Sequence, residues 1–277
     1  MTEHYDLHCH STASDGALSP TALVQRAHQC GVTSLALTDH DTVAGLNEAQ
    51  AAADTVGIKL IPGIELSTSW QNKCFHIVGL GINPMHPPLA EATRNLQLMR
   101  IERAEKIAAK LEKKRIFGAL EAVKTAAGDG MITRSHFADF LVSQFHVSTH
   151  QDAFDRYLGS GKDAYVATAW AELELAISWI SESGGVAVLA HPLRYNLTAS
   201  WVKRLLTAFK EAGGAGIEVV TGRCNSDEIK LVARYATHFD LAGSVGSDFH
   251  NPANQWVELG RLAPLPENIK PIWELLN

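Results

Sequence analysis

Residues 5–16 read YDLHCHSTASDG. The short run YDLH has β-strand character, and it delivers His8 and His10, one residue apart, with Asp15 close behind. Side chains at i and i+2 of a strand point to the same face, so the two imidazoles share one side and Cys9 faces the other. The opening of the chain therefore sets two imidazoles and a carboxylate at the end of an apolar strand, where a loop begins.

That pattern recurs. Six further β-rich runs follow: SLALTDHD, KLIPGIELS, CFHIVGLGI, GGVAVLAHP, AGIEVV and LAGSVGSDFH. Helix-like segments separate most of them. In SPTALVQRAHQCG (19–31), Ser19 is a plausible N-cap, Pro20 takes the first helical position and Gly31 ends the helix. The alternation predicts an α/β architecture with a largely parallel sheet. Seven strands suffice to close a barrel, and an open doubly wound sheet is the alternative.

In either architecture, functional residues gather at the carboxyl ends of the strands, where the following loops converge. Here His8 and His10 close the first strand, and Asp39, His40 and Asp41 the second. Glu65 is expected at the end of the third, His191 closes the fifth, and Asp248 with His250 closes the seventh. His76 lies near the start of its own run. If STSWQNK is a hairpin, the fourth run is antiparallel to the third and His76 returns to the level of Glu65.

The β pattern stops between Pro84 and Tyr165. Leu89, Ala92, Leu96, Met99, Ala104, Ile107 and Leu111 fall close to helical spacing, and FGALEAVKTAAG and SHFADFLVSQF continue the helical character. We read residues 84–165 as a helical insertion covering one mouth of a barrel domain built from residues 1–83 and 166–277.

Composition narrows the function. The chain has 277 residues, 46% of them hydrophobic and 19% charged, enough for one large core. A net charge of -6 argues against coating double-stranded DNA, which takes many Lys and Arg contacts to phosphate. No apolar run reaches the roughly 18 to 20 residues that span a bilayer, so no membrane partner is expected. Nor is an obligatory protein partner. Cys9, Cys30, Cys74 and Cys224 are scattered without CxxC spacing, which suits reduced thiols and a cytoplasmic address.

Imidazoles and carboxylates together suit divalent manganese, zinc or iron, whereas thiolates would point to structural zinc. Nine candidates, His8, His10, Asp15, His40, Glu65, His76, His191, Asp248 and His250, are too many for one ion. Two or three ions per chain are expected, with manganese first among them.

The motifs DLHCHSTASDG, LALTDHDT, PGIELS, FHIVGLG, AHP and GSDFH, in this order, resemble the PHP (polymerase and histidinol phosphatase) family. The resemblance covers most of the chain apart from the helical insertion. It implies a distorted seven-stranded barrel and a trinuclear metal site. By position, His8, His10, Glu65 and Asp248 would hold one ion, Glu65, His76 and His191 a second, and Asp15, His40 and His250 a third. ITRSHFA inside the insertion, together with AHPLRY, is similar to the branch that includes 3',5'-nucleotide bisphosphate phosphatases and a related 5'-to-3' exoribonuclease.

Adjacent cations suit phosphate ester hydrolysis. The catalytic set expected is Glu65, bridging two ions, with His191, Asp15 and His40. Recognition is expected from the insertion and the strand-end loops. Arg100 and Arg103 share a helix face, Arg134 with Ser135 and His136 opens the next helix, and Arg194 follows His191 by three residues. Guanidinium forks match phosphate oxygens, so a nucleotide with phosphates at both ends, or the 5' end of a short RNA, is the expected substrate. A small-metabolite phosphatase such as histidinol phosphatase is the alternative, and a non-catalytic metal-binding module is a third reading, disfavoured by the full ligand set.

Overall fold

The computed structural model describes residues 3–276. Strand β1 (Tyr5–Asp6), helix α1 (Pro20–Gln29), β2 (Ser34–Leu37), α2 (Leu46–Val56) and β3 (Lys59–Trp70) form two parallel strand–helix–strand units. Ser19 caps α1 by accepting the Ala22 N–H, and Gly31 leaves it with φ 80°. β3 turns at Gln71 and Asn72 into β4 (Lys73–Leu80), antiparallel, with Ser67 opposite His76. Both turn residues have positive φ, which matches the twist of a two-residue hairpin.

Glu65 is not at the end of its strand. β4 pairs with β3 as far as Trp70, so the strand continues past Glu65 as one arm of the hairpin. A parallel bridge between His40 and Glu65 nevertheless sets this residue level with the carboxyl end of β2.

Next come α3 (Pro87–Lys113), α4 (Ala119–Ala127), α5 (Arg134–Ser143) and the short α6 (His150–Ala153), which runs into a π-helical turn at Phe154–Leu158. A two-residue strand, β5 (Ala171–Glu172), pairs with β3 and has no counterpart in the sequence reading. Regular alternation then resumes with α7 (Leu173–Glu182), β6 (Val186–Leu189), α8 (Ala199–Glu211), β7 (Gly216–Thr221), α9 (Ser226–His238) and β8 (Ala242–Gly246).

The strand order is β1-β2-β3-β4-β6-β7-β8, with β5 off this path. The two ends of that row meet. The Leu7 N–H donates to Val245 O (3.0 Å), Asp248 N–H to His8 O (2.8 Å) and His10 N–H to Phe249 O (2.9 Å). The sheet is therefore a distorted seven-stranded barrel and not an open doubly wound sheet. Its seam is tight: a Cβ on Gly246 would lie 2.3 Å from the Cβ of His8, so only glycine fits there.

Leu23, Val24 and Ala27 of α1 and Leu46, Ala49 and Ala53 of α2 pack with Leu35 and Leu37 of β2. On the other side, α7, α8 and α9 bury Ile177, Leu206, Phe209 and Val232 with Ile64, Phe75 and Ile217 of the strands. α3 bridges two cores. Its Leu89 and Leu96 join the barrel cluster, whereas Ala104, Ile107 and Leu111 pack with Val123, Phe137 and Leu141 of α4 and α5.

The segment between α4 and α5 lies against the loop after β1. Met131 N–H donates to Ala13 O (2.8 Å), and a Cβ on Gly130 would meet Thr12 O at 2.4 Å. This contact brings Arg134 to the strand ends. Among the described residues, no helix is long and apolar enough to cross a membrane.

Candidate metal centre

The loops that leave β2, β6 and β8 bend sharply at their functional residues. Asp41 (φ 55°), His191 (φ 30°) and Asp248 (φ 55°) all occupy the left-handed region, which costs non-glycine residues energy and collects at functional sites. The bends bring the nine candidate ligands together.

His8 Nε2 lies 3.1 Å from His10 Nε2, 3.4 Å from Glu65 Oε1 and 3.6 Å from Asp248 Oδ1. His10 Nε2 lies 3.5 Å from Glu65 Oε2 and 3.4 Å from Asp248 Oδ1. Donors bound about 2.1 Å from a tetrahedral ion lie about 3.4 Å apart, so these spacings are those of a coordination shell. The same two oxygens also draw in His76 Nδ1 and His191 Nε2, at 3.0 and 3.1 Å from Glu65 Oε1, and His40 Nδ1, at 2.8 Å from Glu65 Oε2. Asp15 Oδ1 gathers His250 Nε2 at 3.4 Å, His40 Nε2 at 3.9 Å and His10 Nδ1 at 4.0 Å.

Several of these atoms lack hydrogen-bond geometry. His10 Nδ1, His40 Nδ1, Glu65 Oε2 and His191 Nδ1 are buried with no hydrogen-bond partner, although a buried polar atom is costly when unsatisfied. Close approach without hydrogen bonding, in an oxygen and imidazole set, fits divalent cations. Within the cluster, the groups His10, Asp15, His40, His250; His8, His10, Glu65; and His40, Glu65, His76 each have ligand atoms within 4.8 Å of one another.

The charges are tuned accordingly. Burial, followed by the nearby His250 and His40, lowers His10 to about 3, so its imidazole is neutral and free to ligate. Burial opposes the charge on His76, but the Glu65 carboxylate outweighs it and raises His76 to about 10. Burial likewise opposes His250, which Asp15 and Asp248 raise to about 9. Against their own burial, the neighbouring histidines hold Glu65 and Asp15 well below the usual carboxylate range, and His8 and Arg194 do so for Asp248.

A ring of buried carboxylates, of which only Asp39 figured among the strand-end residues of the sequence, lies behind the candidate ligands. Glu218, on β7, accepts from His8 Nδ1 through Oε1 (2.6 Å) and from the His191 N–H through Oε2 (2.6 Å). Asp39 accepts from the Ser11 N–H and from both the Ser11 and Ser14 hydroxyls. Asp6 accepts the Ser247 and Gly260 N–H groups. A single acid inside the apolar run AGIEVV was the available signal for Glu218.

The arginines divide into three environments. Arg100 is only 5% exposed; its Nε donates to Asp41 at 2.7 Å and its Nη2 to Ser67 Oγ at 3.0 Å. Arg103 and Arg134 have no carboxylate partner among the described residues. They line a cleft with Asp15, His40, His76, Ser135, Phe154 and Trp170, and Arg103 lies over the Trp170 ring and Arg134 over Phe154. Burial, then the adjacent Arg134 and Arg100 guanidiniums, pushes Arg103 down to about 9. Arg194 instead pairs with Asp248. Ser135 N–H and His136 take part in capping α5: Thr133 Oγ1 accepts from Ser135 N–H, and His136 Nδ1 accepts the Thr133 N–H at 3.1 Å.

A family model described as PHP domain matches residues 6–222. The chain belongs to the PHP domain family. It is 49% identical over 274 residues to a 5'-3' exoribonuclease of Haemophilus influenzae, covering 99% of both chains. It is 43% identical over 273 residues to a 3',5'-nucleoside bisphosphate phosphatase of Chromobacterium violaceum, covering 98% of this chain and 96% of that one. A solved structure of an amidohydrolase from Chromobacterium violaceum, with bound sulfate and no metal, superposes with a TM-score of 0.94 at 43% identity, over 98% of this chain and 95% of the other.

Proposed function

We propose that this PHP protein is a metal-dependent phosphoesterase that removes the 3'-phosphate of 3',5'-bisphosphorylated nucleotides and shortens 5'-phosphorylated RNA from its 5' end. The observation that carries the reading is the adjacency of two features. A coordination-spaced His, Asp and Glu cluster borders a cleft in which Arg103 and Arg134 lack any carboxylate partner. Two half-buried guanidiniums with no carboxylate partner among the described residues suit a phosphate.

His8, His10, Glu65 and Asp248 would hold one divalent ion, Glu65, His76 and His191 a second, and Asp15, His40 and His250 a third; manganese is the first to load. Such ions supply Lewis acidity to phosphoryl oxygens and acidify water. Arg103 and Arg134 hold the 5'-phosphate, and Ser135 presents its side of the cleft to it. Trp170 and Phe154 shield those guanidiniums from water, which strengthens each contact with the anion. Fixing the 5'-phosphate orients the sugar so that its 3' substituent meets Glu65, Asp15, His40 and His191. Arg100, although it too lines the cleft, acts as a positioning residue, tying α3 to Asp41. In this reading residues 84–165 are the recognition insertion on a barrel of residues 1–83 and 166–277.

Both substrates lose the same bond. Water oxygen adds to phosphorus, the P–O3' bond breaks and O3' takes up a proton. A bisphosphorylated nucleotide yields inorganic phosphate, and RNA yields a 5'-mononucleotide and a strand with a new 5'-phosphate. A histidinol-type substrate fits less well, since its cationic amine would face Arg103 and Arg134.

The test is phosphate release from adenosine 3',5'-bisphosphate and from histidinol phosphate by manganese-loaded protein. Chelator-sensitive release that favours the bisphosphate by an order of magnitude or more is expected. Preference for histidinol phosphate would replace this reading with the metabolite phosphatase.

A further inference from the structure

Two clefts meet at the ligand cluster. The arginine cleft carries Arg103, Arg134, His40 and His76. A second cleft, of about 560 Å³, leaves the cluster at Asp248 and His250 and runs past Arg194 and Arg223 to Asn251 and Asn254. Asp15 and Ser135 line both, so the two are one trough with the candidate ligands across its middle. A bisphosphorylated mononucleotide occupies only the first half, with one phosphate at the arginines and the other at the ligands. Nothing in that substrate fills the second half.

We infer that the second cleft is the track for the downstream strand of single-stranded, 5'-phosphorylated RNA, with Arg223 contacting its backbone and Trp256 stacking on a base. This inference rests on the function proposed above and adds the path of the strand beyond the scissile phosphate.

Trp256 is 79% exposed and joins no aromatic pair among the described residues. Its exposure is not that of a frayed end. Its backbone N–H donates to Asn254 Oδ1 (3.3 Å), and the chain that follows is anchored by buried Val257 and Leu259. Trp256 stands in the chain between Asn254 and Val257, which line the cleft, and an exposed indole carried beside a polar cleft has the character of a stacking platform, which every base can use. Arg223 is exposed and makes no ion pair among the described residues, so its guanidinium is available to a phosphate. Asn251 and Asn254 accept loop N–H groups through Oδ1, which leaves their amide N–H groups to donate to ribose or phosphate. The acids in the cleft do not oppose an anionic strand. Asp15 and Asp248 belong to the ligand set, and Asp139 faces His150 at 3.6 Å.

The chemistry demands such a track. After P–O3' cleavage the phosphorus stays on the downstream strand, so that strand must be held beyond the ligands while the 5'-mononucleotide departs. Its new 5'-phosphate then matches the arginine cleft.

The experiment uses Trp256→Ala and Arg223→Ala, surface changes checked for wild-type melting. Binding of a 5'-phosphorylated hexaribonucleotide, labelled with fluorescein at its 3' end, is read by anisotropy in chelator, where no cleavage occurs. Turnover of the unlabelled hexamer and of adenosine 3',5'-bisphosphate is read with manganese-loaded protein. Each variant should weaken hexamer binding and lower its kcat/KM by about ten-fold, while turnover of the bisphosphate stays within about two-fold of wild type. Wild-type hexamer binding in both variants, or equal losses on the two substrates, would overturn the track. If wild-type protein turns over neither substrate, the underlying phosphoesterase reading fails instead.

Discussion

Glu218 Oε1 lies 2.6 Å from Nδ1 of His8, although 210 residues separate them in sequence. A carboxylate can only accept, so His8 keeps a proton on Nδ1 and turns Nε2, the nitrogen left for an ion, toward the candidate ligand cluster. The second oxygen of Glu218 accepts the His191 N–H at 2.6 Å. One buried acid thus orients two candidate ligands from different strands.

Glu218→Gln should therefore weaken metal affinity by about ten-fold to a hundred-fold with the fold intact. An amide keeps one oxygen but sets its NH₂ against either His8 Nδ1–H or the His191 N–H. Competition with a chromophoric chelator measures the affinity, and circular dichroism checks the fold. Unchanged affinity would reduce Glu218 to a purely structural hydrogen bond.

Metal uptake should release protons and tighten with rising pH. His76 and His250 hold protons up to about 10 and about 9 because Glu65, and Asp15 with Asp248, outweigh their burial. An ion must displace those protons, so apparent affinity climbs between neutral pH and about pH 10. The same groups make chelated protein pH-dependent in the opposite sense. Their folded-state pKa values lie above the ordinary 6.5, so the stability they contribute is fully present below about pH 6.5 and is lost as pH rises through 9 to 10. Calorimetric titrations in two buffers of different ionisation enthalpy count the protons, and melts in chelator follow the stability. Proton-free binding, or melting unchanged from pH 6.5 to 10, would contradict the ion-paired cluster.

Arg103→Ala and Arg134→Ala should each lower kcat/KM on adenosine 3',5'-bisphosphate by about 2 kcal/mol, the scale of a charge-assisted hydrogen bond. An aryl phosphate, which lacks a second phosphate, should be nearly unaffected. Equal losses on both would place these arginines at the reacting phosphate.

Arg100→Ala should behave differently. It strips the partner from Asp41, which is fully buried, and breaking such a pair costs about 3 to 5 kcal/mol. A lowered Tm with both substrates affected alike is expected, and a wild-type Tm would count against the positioning role.

The barrel and the clustering of the candidate ligands were legible in the sequence because strand periodicity and strand-end chemistry are local. His8 and His10 share a face by i, i+2 spacing, and Gln71–Asn72 forms the hairpin that returns His76 to Glu65. What escaped was decided by distant partners. Glu218 looks like any acid on a strand until His8, past the end of β1, and His191, past the end of β6, are seen to meet it. Arg100 and Arg103 are equivalent by helical spacing, yet Asp41 neutralises one and no carboxylate among the described residues pairs with the other. The two residues of β5 are too short to show a period at all.

The most direct test of the central claim is elemental analysis of wild-type protein and Glu65→Gln after saturation with manganese and removal of free ion. Glu65 meets His8, His10, His40, His76 and His191 within 3.5 Å. Two or three ions per chain are predicted in the wild type, with at least one fewer in the variant and turnover all but abolished. One ion or none in a fully active wild type, or an unchanged count with near-normal turnover in Glu65→Gln, would contradict the account.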